Sequence, residues 1–578
     1  MPYTPNNPYI PGDPYSYDLK WLVSQVKANR AALEGLDDRI ENLIINYLDQ
    51  HDPVYYQTAQ ELIDSSQKAG SIAFIEGFYS AGDGGANLYF ITDDFSVASA
   101  ADFYLEFSSG DLWAIPVILT SYVTPEMFGA KGDGITDDTD AVKTAIDIGS
   151  CIVFNNSYAV DPTPANCITI TGNNKVLCGV GSLIAIQTDL DISNVLRLEG
   201  ASNISIKDIS IIGDIEYNTS TTEGAAHCLN IRNSKNVDIS NVKISNGYTD
   251  GIYILGSEDV TVSDFYITKC GRNGFTVTNG KHIKASRGTL IDFNAHLPMS
   301  GISVEPNYAT DDIYDVTFDH IYIENCGGTG FYCNLNKLNG SAKTVNISFD
   351  DISIFNTTGN ALAINVNDGV TANGNITISN IYADKIKAGV IENRHYENSD
   401  VSVVIHDVTA NEFNINNLSL VYGAFLNNAA VTAYSVGGVD IYNVKFGKDA
   451  PAGFSTCVGN TSGYVGDGDF IALQNLVVTN YYGNHPKSVE DSNEVQINNM
   501  FDTINRNGRN VTVRANQRNK GVVHVYGTNS TITFTSAVFT DASGATGHIL
   551  TFTSAGLAIL DYYNTDRAFI SGCNYTLS

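Results

Sequence analysis

The fold is decided by Lys235–Phe293, "KNVDISNVKISNGYTDGIYILGSEDVTVSDFYITKCGRNGFTVTNGKHIKASRGTLIDF". Apolar and polar residues alternate in short runs, as in half-buried strands, and Asn or Gly turns separate the runs. Val237, Val260 and Ile283 occupy equivalent places at steps of 23 residues, and Val316 and Ile347 follow after steps of 33 and 31. Further strands begin after Cys228, Gly251, Gly274, Gly301, Gly330 and Ala361, at steps of 23, 23, 27, 29 and 31. A repeat near 23 that tolerates insertions between strands is the pattern of a β-solenoid. One coil cannot bury its apolar face alone, but stacked coils form a continuous column. Leu229, Ile252, Phe275, Ile302, Phe331 and Leu362 are expected on one inward rung ladder.

The ends of the chain read differently. Residues 1–16 are a polar, Pro- and Tyr-rich arm. Within 17–50, Leu19, Leu22, Val26, Asn29, Leu33, Leu36, Ile40, Leu43 and Tyr47 follow a 3-4 spacing, the a/d seam of a coiled coil with a polar register residue at Asn29. Residues 51–122 read as a small β-rich connector whose "GDGG" (82–85) is a turn, and 123–150 as an opening motif with a capping helix near 137–148. The solenoid is expected over 151–430, its end and a linker over 431–507. A β-rich terminal domain for trimerisation or carbohydrate binding is expected over 508–578.

Composition narrows the function. A formal net charge of -31 and a pI near 4.5 argue against nucleic-acid and anionic-membrane partners. No apolar run reaches the roughly 20 residues of a membrane span, and the polar N-terminus has no secretory-signal pattern. Nine scattered cysteines without a C-x-x-C pair read as buried free thiols rather than a disulfide framework or metal site. These features point to a protein made in a cytoplasm, with no cofactor. The acids Asp133, Asp137 and Asp138 read as turn and helix caps in preference to a cation site.

"FGAKGDGITDDTDAVKTAID" (128–147) closely resembles the opening motif of the pectate-lyase-like, right-handed parallel β-helix superfamily, which includes phage tailspikes and depolymerases. "GRNGFTVTNGKHI…SGISVEPN" resembles a mid-helix segment of tailspike proteins, and residues 70–95 resemble the connector upstream of such helices in phages of Gram-positive hosts. The resemblance covers roughly residues 70–430. It implies a mainly β homotrimer in the virion tail, attached to tail or baseplate through its N-terminus. Such a spike binds, and often cleaves, a host surface polysaccharide.

The repeat register places candidate chemistry. Asp250, Asp292 and Glu305 fall outward within a few coils of one another, and coils stack about 4.8 Å apart. Carboxylates at such spacing suit glycoside hydrolysis. Glu305 lies between two insertions, "NAHLPM" (294–299) and "NYATDD" (307–312), and loops lengthened at one place build a groove. Glu305 is the expected general acid, with Asp292 or Asp250 as base or nucleophile. Asp250 also reads as a turn cap before Gly251, and Asp292 as a loop stabiliser. Arg272 and Asn273 beside that rung, with His296, Tyr253, Tyr308 and Tyr332, are the expected sugar-binding groups. His227 and His296 are candidates for proton transfer. A lyase using Arg272 and His296, and a spike that binds without cleaving, are the other readings.

Overall fold

The computed structural model describes residues 53–413, apart from 219, 221–223, 367–369 and 396–399. Beyond 413 it describes isolated strands and short segments. The expected arm, the heptads of 17–50 and most of 431–507 lie outside the described residues. One compact unit takes in described residues up to Ile186 with Ser202–Ser210, and the other Gln187–Ala201 with Ile211 onward.

The first unit opens with a five-stranded sheet in the spatial order Val54–Tyr56, Ile72–Ile75, Asn87–Thr92, Trp113–Val117, Leu105–Glu106. Its core is Leu62, Ile75, Tyr89, Ile91 and Phe107. The "GDGG" stretch is the turn expected. Asp83 accepts the backbone N–H of Phe78, Tyr79, Ser80 and Gly85, and Gly82 and Gly84 adopt φ of 82° and 93°. The opening motif forms a helix, Thr139–Ile148, two residues shorter than expected at its start. Its buried stripe of Ala141, Val142, Ala145 and Ile146 packs toward the strands Ser157–Val160 and Ile168–Ile170. The acids before it are turn-makers: Asp133 accepts from Ile135 and Thr136, Asp137 from Thr139, and Asp138 from Lys131 and Gly132. Parallel pairing then begins, with Leu177 opposite Ile152 and Leu183 opposite Tyr158.

The second unit is a parallel β-helix with three strand runs per coil. The first inward ladder runs Leu196, Leu229, Ile252, Phe275, Ile302, Phe331, Leu362 and Ile391, each residue the direct partner of the next. The second runs Val237, Val260, Ile283, Val316 and Ile347. The third runs Ile244, Ile267, Leu290, Ile323, Ile354 and Ala383. The first two are the ladders read from the repeat. All these side chains are within 2 % of complete burial. Rings stack between rungs inside the column: Phe318 lies 5.4 Å from Phe349 at 8°, and Phe331 lies 4.3 Å from Phe349 at 13°.

Corners between strand runs are set by left-handed residues. Asn246, Lys269, Asp292, Asn325, Asn356 and Lys385 recur at one corner with φ between 50° and 67°. Asn and Asp tolerate this region best among residues with a side chain. That preference explains the Asn-rich turns of the repeat. The seven described cysteines are free, five of them buried. No helix among the described residues is long and apolar enough to cross a membrane.

Candidate functional site

The site is built on the turn entering each strand of the first ladder. Two residues before the inward side chain, successive coils carry His227, Asp250, Asn273, Ser300, Thr329 and Asn360. Side-chain oxygens here serve the backbone of the next coil. Asp250 Oδ1 accepts from Asn273 N at 3.1 Å, Asn273 Oδ1 from Ser300 N at 3.0 Å, and Asn360 Oδ1 from Gly389 N at 2.9 Å. The ladder satisfies buried donors that would otherwise be orphaned. Asp250 is therefore a turn cap, as one reading expected, but it caps the coil after its own.

The second oxygen of Asp250 has a different environment. Oδ2 lies 3.4 Å from Arg272 Nη1 and 3.5 Å from His227 Nδ1. Arg272 Nη2 reaches Glu305 Oε2 at 3.2 Å, and the Ser303 hydroxyl donates to the same oxygen at 3.4 Å. One guanidinium thus ties two of the three expected carboxylates together. The Asp250 side chain is 0 % exposed, Arg272 23 % and Glu305 26 %, so Glu305 and Arg272 reach solvent while Asp250 lies beneath them.

Burial pushes the Asp250 carboxyl up to about 6; Arg272 opposes the rise and Glu305 adds to it. Burial, with Arg272 and Arg232 nearby, pushes His227 down to about 3, so its imidazole is neutral. The Thr249 hydroxyl donates to Ala226 O at 2.6 Å and lies 3.0 Å from His227 Nδ1. Thr249 therefore accepts from His227, which assigns the ring proton to Nδ1. The imidazole is stacked on Tyr253 at 4.2 Å and 7°. The Tyr253 hydroxyl accepts from Asn307 Nδ2 at 3.3 Å, joining this wall to the loop after Glu305.

The remaining expected residues are distributed unevenly. Asp292 adopts φ 67° at the left-handed corner and accepts from Asn325 Nδ2 at 3.0 Å, the loop-stabilising arrangement. Its hydrogen bond goes to that corner ladder and not to the Arg272 cluster. Asn273 is fully buried, its amide taken by Thr276 and Ser300, so it forms floor rather than a contact surface. His296 docks on Gly271, its N–H to Gly271 O at 2.6 Å, with its ring 4.8 Å from that of Tyr248. Tyr308 is 68 % exposed. Tyr332 stands one coil beyond Ser303 and accepts from Asn365 Nδ2 at 2.8 Å.

Asp311 was not singled out from the sequence. Its Oδ2 accepts the backbone N–H of Asn307 and Tyr308, each at 2.8 Å, and its Oδ1 accepts from Asn279 at 3.2 Å. It pins the loop following Glu305. The signal available was an Asp four residues after an Asn in a turn-rich insertion.

No family model matches the chain. It is 28% identical over 169 residues to a capsule KN3-specific depolymerase of Klebsiella phage KN3-1, covering 26% of this chain and 21% of that protein. It is 29% identical over 206 residues to the pre-neck appendage protein of Bacillus phage B103, covering 30% of this chain and 23% of that one. The match thus spans about a fifth to a quarter of each relative's length. Full-length tailspike protein 2 from Escherichia coli O157:H7 bacteriophage CAB120 aligns over 93% of this chain and 74% of its own. Its TM-score is 0.43 and its identity 13%, and a likeness of that size carries no functional weight.

Proposed function

We propose that this chain, which is similar over part of its length to a phage capsule depolymerase and a phage appendage protein, is a tailspike that cleaves a host surface polysaccharide at the Glu305–Arg272–Asp250 cluster. The observation that carries the reading is the single guanidinium holding a solvent-reaching carboxylate against a buried one, 3.2 Å and 3.4 Å away. A structural ion pair needs one acid; the second acid places a reactive carboxyl beside an open face.

Glycosidic hydrolysis is the reaction this arrangement favours. Glu305 donates a proton to the glycosidic oxygen as the bond to the anomeric carbon breaks, and water supplies the hydroxyl of the new reducing end. Two carboxylates bound to one guanidinium lie at most about 9 Å apart, within range of either stereochemical course. Asp250 takes the base's part when the docking sugar draws Arg272 aside. While Arg272 stays in place, Asp250 is a positioning residue for it. Tyr253 and Tyr308 offer ring faces to sugars, and the loop pinned by Asp311 forms one wall. The heptad spacing in the sequence of 17–50 supports action as a homotrimer attached to the virion tail.

The complete burial of Asp250 favours a second reading, a receptor-binding spike without turnover, in which a trimer gains strength from avidity alone. The two readings separate on incubation of the full chain with host capsule and wall polysaccharides, following new reducing ends and unsaturated uronides. Reducing ends alone support hydrolysis. Reducing ends with unsaturated products mean a lyase, and binding without either product means a binder.

A further inference from the structure

The cationic group that touches Glu305 and Asp250 is Arg272, and both of its terminal nitrogens already face carboxylates. His227, on the adjacent coil, is neutral and lends no positive charge. The other cations on the turn and loop that carry these residues are also paired. Lys269 holds Glu216 at 3.3 Å, and Lys281 and Lys343 both hold Asp312, at 3.2 and 2.7 Å. The cluster therefore carries two carboxyl groups against one guanidinium: one negative charge in excess when both are ionised, and no positive charge to spare when Glu305 holds the proton it donates. The low dielectric around the buried Asp250 keeps that excess unscreened.

We propose that the sugar unit seated at Glu305 is uncharged: a hexose, deoxyhexose or N-acetylhexosamine, and not a uronate or other acidic sugar. This rests on the glycan-binding reading above and specifies its substrate class. A uronate here would set a third carboxylate around one guanidinium, and like charges so placed are strongly unfavourable. Hydroxyl and acetamido groups instead offer donors to Glu305 and acceptors to Arg272, completing hydrogen bonds without adding charge.

The test uses the full chain and a matched pair of glycans. A host polysaccharide that the protein binds is prepared in two forms, one in which primary hydroxyls are oxidised to carboxylates (or uronates retained) and one in which carboxyls are reduced to alcohols. Expected is at least about tenfold weaker binding of the carboxylate form at low ionic strength, with the gap closing in high salt. Glu305→Gln, which removes one of the two acids, should narrow the gap. Equal or tighter binding of the carboxylate form, or a gap unmoved by Glu305→Gln, overturns the proposal. Binding of the neutral form without cleavage sinks the enzymatic reading while supporting the charge preference. Binding of neither form overturns both.

Discussion

Replacing Asp250 by Asn should make the protein more stable and less active. The side chain is fully buried, and burial lifts its pKa from 3.8 to about 6 even with Arg272 beside it. That rise corresponds to about 3 kcal/mol held against the ionised native state. Because the folded value lies above the unfolded one, the native protein binds the proton more tightly. The associated stability is fully present below about pH 4 and is lost as pH rises through about 6. An Asn at 250 keeps an oxygen for the Asn273 N–H and removes the buried charge, while Arg272 keeps Glu305 and solvent. At about pH 7.5 the variant should gain up to about 3 kcal/mol, seen as a melting midpoint a few degrees higher. At about pH 4, where the wild-type carboxyl is protonated in the folded state, the gain should vanish. Thermal scans of both proteins at one fixed rate across this pH range make the comparison. Glycan cleavage, measured alongside, should fall by at least about a hundredfold, because Arg272 loses the partner that aims it. A variant destabilised at pH 7.5 would refute the reasoning. It would show a net-favourable structural ion pair rather than a charge kept at the expense of the fold.

Other consequences are open to simpler checks. Phe331→Ala empties a fully buried site stacked on Phe349 and should cost about 3–5 kcal/mol, measured by the thermal midpoint. Asp311→Ala frees the backbone of Asn307 and Tyr308, so KM for the glycan should rise several-fold while kcat changes little. An unchanged KM would remove that loop from the groove wall. His227→Gln should leave the pH dependence of cleavage between about 5 and 8 unmoved, because the native imidazole stays neutral throughout that range.

The β-helix was legible in the sequence because each coil repeats one physical requirement. An inward position must be apolar on every rung, so the spacing of Leu229, Ile252, Phe275, Ile302, Phe331 and Leu362 is the pairing register itself. Outward positions carry weaker information. The register placed Asp250 and Glu305 near one another, but pairing depends on where Arg272 reaches, which no spacing specifies. Asp292 has the same outward character in sequence. The left-handed backbone of its corner turns it to Asn325, a conformation that its run of Asn and Asp equivalents signals only when the coils are aligned. Asn273 is expected to contact sugar from its place beside the Asp250 rung. Here the turn buries it, and its amide serves Ser300 and Thr276.

The most direct test of the account is a side-by-side measurement of wild type and Glu305→Gln on a host surface polysaccharide, following binding and reducing-end release on the same samples. The account predicts that the variant binds within a few-fold of wild type and loses at least about a hundredfold in cleavage. Cleavage by the variant at the wild-type rate would contradict it.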